Sequence, residues 1–109
     1  MNYTMARAGW IATYLDPLAF LDLFVANGLN NNTGFANAEY DGALAQAQLE
    51  LDPAARNRDF DRAETLLLNN AAIIPVYYYT NPYLISPSVQ NWNDNLFDFH
   101  PYQTAWLKP

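Results

Sequence analysis

The sequence of 109 residues contains no cysteine, one histidine (His100), four glycines and five basic residues. Each scarcity closes off a class of chemistry. Without cysteine there is no disulfide framework, no thiolate metal centre and no Cys–His nucleophile. The redox compartment stays open on that count. A single histidine does not build an ordinary zinc site. Five bases against eleven acids give a net charge of −6. With no basic stripe to meet phosphates, nucleic acid is not an expected partner. No apolar run approaches the ~20 residues of a membrane span. Met1-Asn2-Tyr3-Thr4 lacks the basic and apolar segments of a secretory leader, so no signal peptide is expected in this chain. Ser86 and Ser88 flank Pro87 with no nucleophile-elbow glycines, and the stretch from Asp94 to Asp98 is shorter than a calcium loop and lacks its glycine. No motif pairs the carboxylates. The expectation is a protein that is not an enzyme and carries no cofactor.

Apolar and aromatic residues are what the chain has in abundance. Hydrophobic residues make up 51% and charged ones 15%, the balance of a folding sequence and, at this length, of one small domain at most. Eight Tyr, six Phe and three Trp are a heavy load for so small a core. Some of these rings either line a ligand surface or pack against chain lying outside this sequence.

Apolar alternation over residues 2–9, with Tyr3 and Met5 inward, predicts a strand entering a turn at Gly9-Trp10. Asp16-Pro17 is a helix-start signal, and Leu18, Leu21 and Phe24 recur at helical spacing up to about Val25. Residues 27–37 are polar and turn-forming, and their asparagines are expected to bond local backbone. Tyr40, Leu44, Ala47 and Leu51 on one side predict a second helix over 38–51, with Glu39 and Asp41 at the positive end of its dipole. Asp52-Pro53 repeats the start signal, and Phe60, Ala63, Leu67 and Leu68 line a third helix ending near Asn69-Asn70. Its Arg56, Arg58, Asp59, Asp61, Arg62 and Glu64 read as a solvated, salt-bridged face. Residues 73–80 and 83–85 are strand-forming by content, and 104–107 suit a last short strand. The order strand, three helices, strands predicts an α/β or α+β piece.

Binding is better supported than catalysis. Alternation along an extended segment puts Tyr77 and Tyr79 on one face and Tyr78 on the other. Gly9 allows close backbone approach, and the Trp10 indole offers a flat wall. Arg7, amid strand-forming residues, calls for a carboxylate or solvent.

Several motifs in collinear order carry a family resemblance: ARAGW at 6–10, the acidic-Pro helix start, NNNTG followed by NAEYD, and AAIIPVYYYTNPYLISP at 71–87. Together they resemble the C-terminal part of the oligopeptide- and dipeptide-binding extracytoplasmic receptors of bacterial ABC importers. The resemblance runs essentially from residue 2 to 107. It implies a two-lobed periplasmic-binding-protein fold closing over an extended peptide, with residues 1–80 in the C-terminal lobe and 81–109 crossing back toward the N-terminal lobe. It also implies a periplasmic or cell-surface location for the parent protein, with a peptide or small solute, the N-terminal lobe and an ABC permease as partners. By the same resemblance Arg7 helps to hold the peptide's terminal carboxylate, and Gly9 and Trp10 lie along its backbone. Tyr79 stands at the cleft and Thr33 is a peripheral contact. Thr13 departs from the pattern: the oligopeptide binders carry there an aspartate that pairs with the ligand's α-ammonium. An uncharged hydroxyl offers only a neutral hydrogen bond, so an opine, a sugar or a peptide with an unusual terminus stands beside ordinary peptides as a ligand class. The competing expectation is a free-standing module, truncated or engineered, whose aromatic surface serves oligomerisation without any ligand. On either reading the isolated chain is expected to self-associate.

Overall fold

A computed structural model describes residues 3–95 and 97–109. Two compact units divide the chain, one running up to Pro75 and the other Val76–Pro109. Both α-helix and β-strand are present, so the chain is of mixed α/β class.

The first unit is organised by a helical hairpin. Helix α1 is a single turn, Leu18–Leu21, continued by a 3-10 turn at Asp22–Phe24. Helix α2 is Ala38–Leu49 and α3 is Pro53–Asn69. Each long helix starts where a side chain satisfies its first free amides. Asn37 Oδ1 accepts from Glu39 N and Tyr40 N at 2.9 and 3.2 Å, and the Asp52 carboxylate accepts from Ala54 N and Ala55 N at 3.3 and 3.0 Å. Pro53 in the first turn of α3 forfeits an amide hydrogen that has no intrahelical acceptor in any case. Three residues, 50–52, return the chain so that α2 and α3 pack along their lengths.

Spacing dictates the core. Tyr40, Ala43, Leu44 and Ala47 recur at i, i+3, i+4, i+7 on α2, and Phe60, Ala63 and Leu67 at i, i+3, i+7 on α3. The small residues let the two backbones approach, and the large ones fill the seam. Leu18, Leu21, Phe24, Val25 and Phe35, partly buried, pack against it. Tyr40 is fully buried, its ring edge-on to Phe35 at 5.2 Å and its hydroxyl donating to Leu21 O at 2.5 Å. Burial together with the nearby Asp41 and Asp22 charges pushes the Tyr40 phenol well above its ordinary pKa.

Helix α3 ends in a Schellman arrangement: Ala71 N donates to Leu68 O at 2.9 Å and Ala72 N to Leu67 O at 3.3 Å. That geometry needs a left-handed residue just past the helix. Ala71 supplies it at φ 51°, where glycine is the usual occupant.

The second unit holds a two-residue antiparallel pair, β1 at Val89–Gln90 and β2 at Trp106–Leu107, in the register Val89↔Leu107 and Gln90↔Trp106. Lys108 N extends the ladder to Ser88 O at 2.7 Å. Beside it the Trp92 and His100 rings stack at 4.2 Å, and Tyr83 meets both edge-on at 5.7 and 5.6 Å.

Several expected elements differ. The strand expected over 2–9 is not formed by its described residues 3–9, and 73–80 and 83–85 also lack strand pairing. A strand exists only through ladder hydrogen bonds to a neighbour, and among the described residues none lies alongside these segments. The side-chain alternation survives without the ladder, since the Tyr77 and Tyr79 rings stand 6.0 Å apart on one side. The first helix is one α turn instead of two, and the second stops at Leu49, leaving Leu51 exposed. Strand β1 at Val89–Gln90 falls outside the segments expected to form strands.

Candidate functional site

The segment from Arg7 to Thr13 runs exposed ahead of α1, with no regular structure. Gly9 sits within it in open surroundings: a Cβ added there meets nothing within 4 Å, and its backbone is outside the left-handed region. Nothing among the described residues therefore requires glycine at that position. Trp10 keeps 47% of its surface exposed. Arg7 and Thr13 are exposed as well. The segment is tethered at both ends. The Tyr3 hydroxyl donates to Asn32 O, and beyond Thr13 the Asp16 carboxylate accepts from Leu18 N at 2.9 Å and meets Arg56 Nη1 at 2.7 Å. The Arg56 contact holds the Asp16 carboxyl below the usual carboxylate range. Arg56 is itself fixed, its Nε donating to Ala47 O at 3.0 Å and its guanidinium lying 4.6 Å over the Phe60 ring.

Thr33 belongs to a loop organised by Asn31. The Asn31 amide donates to Phe24 O, Val25 O and Phe35 O at 3.1, 3.1 and 2.8 Å, as expected for an asparagine-built loop. Asn31 Oδ1 accepts from Thr33 Oγ1 at 2.8 Å, and Thr33 Oγ1 accepts from Phe35 N at 3.1 Å. The Thr33 hydroxyl is thus committed as a donor inside the loop and retains one lone pair for a ligand. The tether from Tyr3 to Asn32 brings the start of the exposed segment to this loop, so Arg7, Gly9, Trp10, Thr13 and Thr33 all belong to the first unit. Tyr79 belongs to the second, exposed beside Tyr77.

A constellation that sequence reasoning set aside lies in the second unit. His100 Nε2 meets Asp98 Oδ1 at 2.7 Å and His100 Nδ1 meets Asn93 O at 3.0 Å. Asp98 Oδ2 accepts from Asn81 Nδ2 at 3.0 Å, and the Tyr83 hydroxyl donates to Asp94. His100 and then Asn81 hold the Asp98 carboxyl below its ordinary pKa, and the Asp94 contact raises the Tyr83 phenol. Only the Asp-x-His spacing and the flanking aromatics signalled this cluster. The dent lined by Asn91, Trp92, His100 and Tyr102 has no room for a water molecule. Both ring nitrogens of His100 are engaged within the protein, which leaves neither available as a general base. Among the described residues no three His, Cys, Asp or Glu side chains gather to hold a metal, and no helix is long and apolar enough to cross a membrane.

No protein-family model matches the chain. Similarity to individual proteins is extensive. The chain is 39% identical over 94 residues to the periplasmic murein peptide-binding protein MppA of Escherichia coli, covering 86% of this chain and 18% of that protein. It is 36% identical over 92 residues to the periplasmic oligopeptide-binding protein OppA of Haemophilus influenzae, covering 84% and 17%. It is 37% identical over 90 residues to the dipeptide-binding protein DppE of Bacillus subtilis, covering 83% and 17%. All three are named as binding proteins and none as an enzyme. The chain spans less than a fifth of the length of each. Its sequence matches a C-terminal segment of the periplasmic oligopeptide- and dipeptide-binding receptors.

Proposed function

We propose that this chain is part of a non-catalytic solute-binding receptor, periplasmic or cell-surface, that captures oligopeptides or related small solutes and delivers them to an ABC transporter. The observation that carries the reading is the similarity of 36–39% across most of the chain to three proteins named for peptide binding. The geometry supports it at Gly9. A glycine with open space around it, in an exposed segment without regular structure and next to a half-exposed indole, suits close approach by a backbone from outside the chain. In this reading residues 1–80 belong to the C-terminal lobe and 81–109 cross back toward the N-terminal lobe. Arg7 helps to hold the ligand carboxylate, Gly9 and Trp10 lie along its backbone, Tyr79 stands at the cleft and Thr33 makes a peripheral contact through its remaining lone pair. Thr13 offers a neutral hydrogen bond where an acid would take an ammonium. Asp16 does not substitute for that acid, since one of its oxygens serves Leu18 N and the other Arg56.

Calorimetry of short mixed-sequence peptides against the complete receptor tests this. Saturable binding that weakens about tenfold or more in Arg7→Ala, the effect of losing a charge-assisted hydrogen bond, is the expected result. Absence of binding to any peptide overturns it.

One observation favours a second reading. No described residue of the second unit is buried, and Tyr78 and Leu84 are almost wholly exposed. Such apolar exposure in a free-standing module serves oligomerisation. Light scattering over a range of concentrations separates both readings from a stable monomer, and peptide titration then separates binding from assembly alone. A chain that assembles into one defined oligomer and takes up no peptide in any context favours the module.

A further inference from the structure

Residues 65–93 carry no charged side chain, in a chain whose net charge is −6. Inside that stretch lies Val76-Tyr77-Tyr78-Tyr79-Thr80, exposed and without regular structure. No backbone–backbone hydrogen bond among the described residues engages Val76, Tyr78 or Thr80. None of residues 76–80 has a positive φ, so extended pairing is within their reach. Native proteins blunt such edges with charge or proline. Here Pro75 stands before the segment and Pro82 after it, and nothing between them is charged. The segment is also nearly symmetric about Tyr78, with a tyrosine on each side and then a β-branched residue on each side. Such a sequence matches an antiparallel copy of itself, because a two-fold interface sets one patch against the same patch.

We propose that residues 76–80 are a self-pairing strand: two copies of the chain join antiparallel, with Tyr78 facing Tyr78 across the two-fold axis, Val76 facing Thr80 and Tyr77 facing Tyr79. The prolines set the phase of the ladder. Directly opposed residues alternate between pairs that exchange backbone hydrogen bonds and pairs that do not. With Tyr78 in a bonding pair, Val76 and Thr80 bond as well, and Pro75 falls opposite Asn81, where no N–H is called for. The other phase asks Pro75 for a hydrogen it lacks. Pro82 is the next bonding position after Thr80, and its missing donor ends the ladder there. The same phase puts Tyr77 opposite Tyr79 in a non-bonding pair, where side chains approach most closely. Their rings share one side, 6.0 Å apart, so each copy adds its two rings to a common face. Tyr78, 98% exposed, meets its copy on the other face, flanked by Val76 and Thr80. The ladder takes no backbone bond from Tyr77 or Tyr79. The absence of charge lets two acidic chains meet here at the least electrostatic cost. A buried aromatic side chain hides roughly 150–250 Å². Three tyrosines a side therefore fall short of the roughly 800 Å² per partner of a standard interface, and the dimer is weak and reversible. The pairing is independent of peptide binding.

Sedimentation velocity of the 109-residue chain, from about 10 μM to about 1 mM, is expected to show a monomer–dimer equilibrium. Tyr78→Lys sets two like charges opposite each other at the axis and removes a ring pair, so it should weaken the dimer about tenfold. Helix content should stay unchanged, since Tyr78 is almost wholly exposed. Register is read by single cysteine substitutions in this cysteine-free chain. Tyr78→Cys brings two thiols opposite each other at a Cα separation of about 5.5 Å, within disulfide range. Val76→Cys and Thr80→Cys leave each thiol about 13 Å or more from its copy. With oxidised glutathione, Tyr78→Cys is expected to form the linked dimer about tenfold faster than either of the others. A chain that stays monomeric at about 1 mM overturns the proposal and leaves the segment to be covered by the remainder of the receptor. Equal crosslinking at all three positions overturns it too, as does a Tyr78→Lys chain that dimerises as well as the unsubstituted one.

Discussion

Arg56 on α3 and Asp16 ahead of α1 meet at 2.7 Å, and the same guanidinium donates to the Ala47 carbonyl in the last turn of α2. One side chain thus joins the exposed N-terminal segment to both helices of the hairpin. It stabilises the segment's anchor beyond Thr13, as the Tyr3 contact does at the segment's other end. The acid dependence of the pair follows from its sign. The Asp16 carboxyl is lowered on folding, so its contribution is present above the ordinary aspartate value of about 3.9 and is lost as pH falls through the lower folded value. Asp16→Asn should remove this part of the pH dependence of unfolding while leaving stability near neutral pH reduced by about 0.5 kcal/mol, the size of a solvent-screened pair. Urea titrations at several acid pH values read it, and an unaltered pH slope in the variant contradicts the assignment.

Ala71 occupies a left-handed position at φ 51° that the Schellman end of α3 requires. Replacing it by glycine removes the clash between Cβ and the following carbonyl. Ala71→Gly should stabilise the chain by about 0.5–1 kcal/mol, after allowing for glycine's larger unfolded-state entropy. Thermal denaturation should show a higher midpoint. A lower midpoint means that the helix does not end this way in solution.

Tyr40→Phe keeps the ring in the seam and removes the donor to Leu21 O. A part-buried acceptor left without its partner costs about 1 kcal/mol, so the loss should exceed that of an exposed tyrosine such as Tyr78 by about that amount. Leu44→Ala, in the same seam, should cost about 2–5 kcal/mol. Equal losses for the Tyr40 and Tyr78 phenylalanine variants would count against the Tyr40–Leu21 bond as a stabilising contact.

Gly9→Ala separates folding from binding. With nothing within 4 Å of the added Cβ, helix content and unfolding midpoint of the chain should be unchanged, whereas the complete receptor should bind peptide more weakly. A variant that binds normally removes Gly9 from the ligand wall without touching the family assignment.

Thr13 gives a test of ligand chemistry. A neutral hydroxyl discriminates poorly between a free and an acetylated peptide amino end, and Thr13→Asp should increase that discrimination about tenfold through a charge-assisted bond. Calorimetry with matched peptide pairs measures it. A large loss of affinity on acetylation in the unsubstituted receptor sinks the idea.

What the sequence determined by itself is the helical part. Asp52-Pro53 marks a helix start because the capping geometry is local, and the spacing of Tyr40, Leu44, Ala47, Phe60, Ala63 and Leu67 defines two apolar stripes that have to meet. The asparagine loop was legible for the same reason, as its hydrogen bonds close over a few residues. Tertiary structure decided whatever depends on distant partners. Residues 3–9 and 73–80 have strand composition yet no ladder, because strand formation requires a neighbour that composition does not specify. Arg56 read as one charge on a solvated face until folding brought Asp16, forty positions earlier in the sequence, within 2.7 Å. His100, unpromising as a lone histidine, gains its meaning from three-dimensional contacts with Trp92, Asn93 and Asp98. The candidate ligand residues divide the same way: their types and order are in the chain, and the surface they line depends on what packs against it.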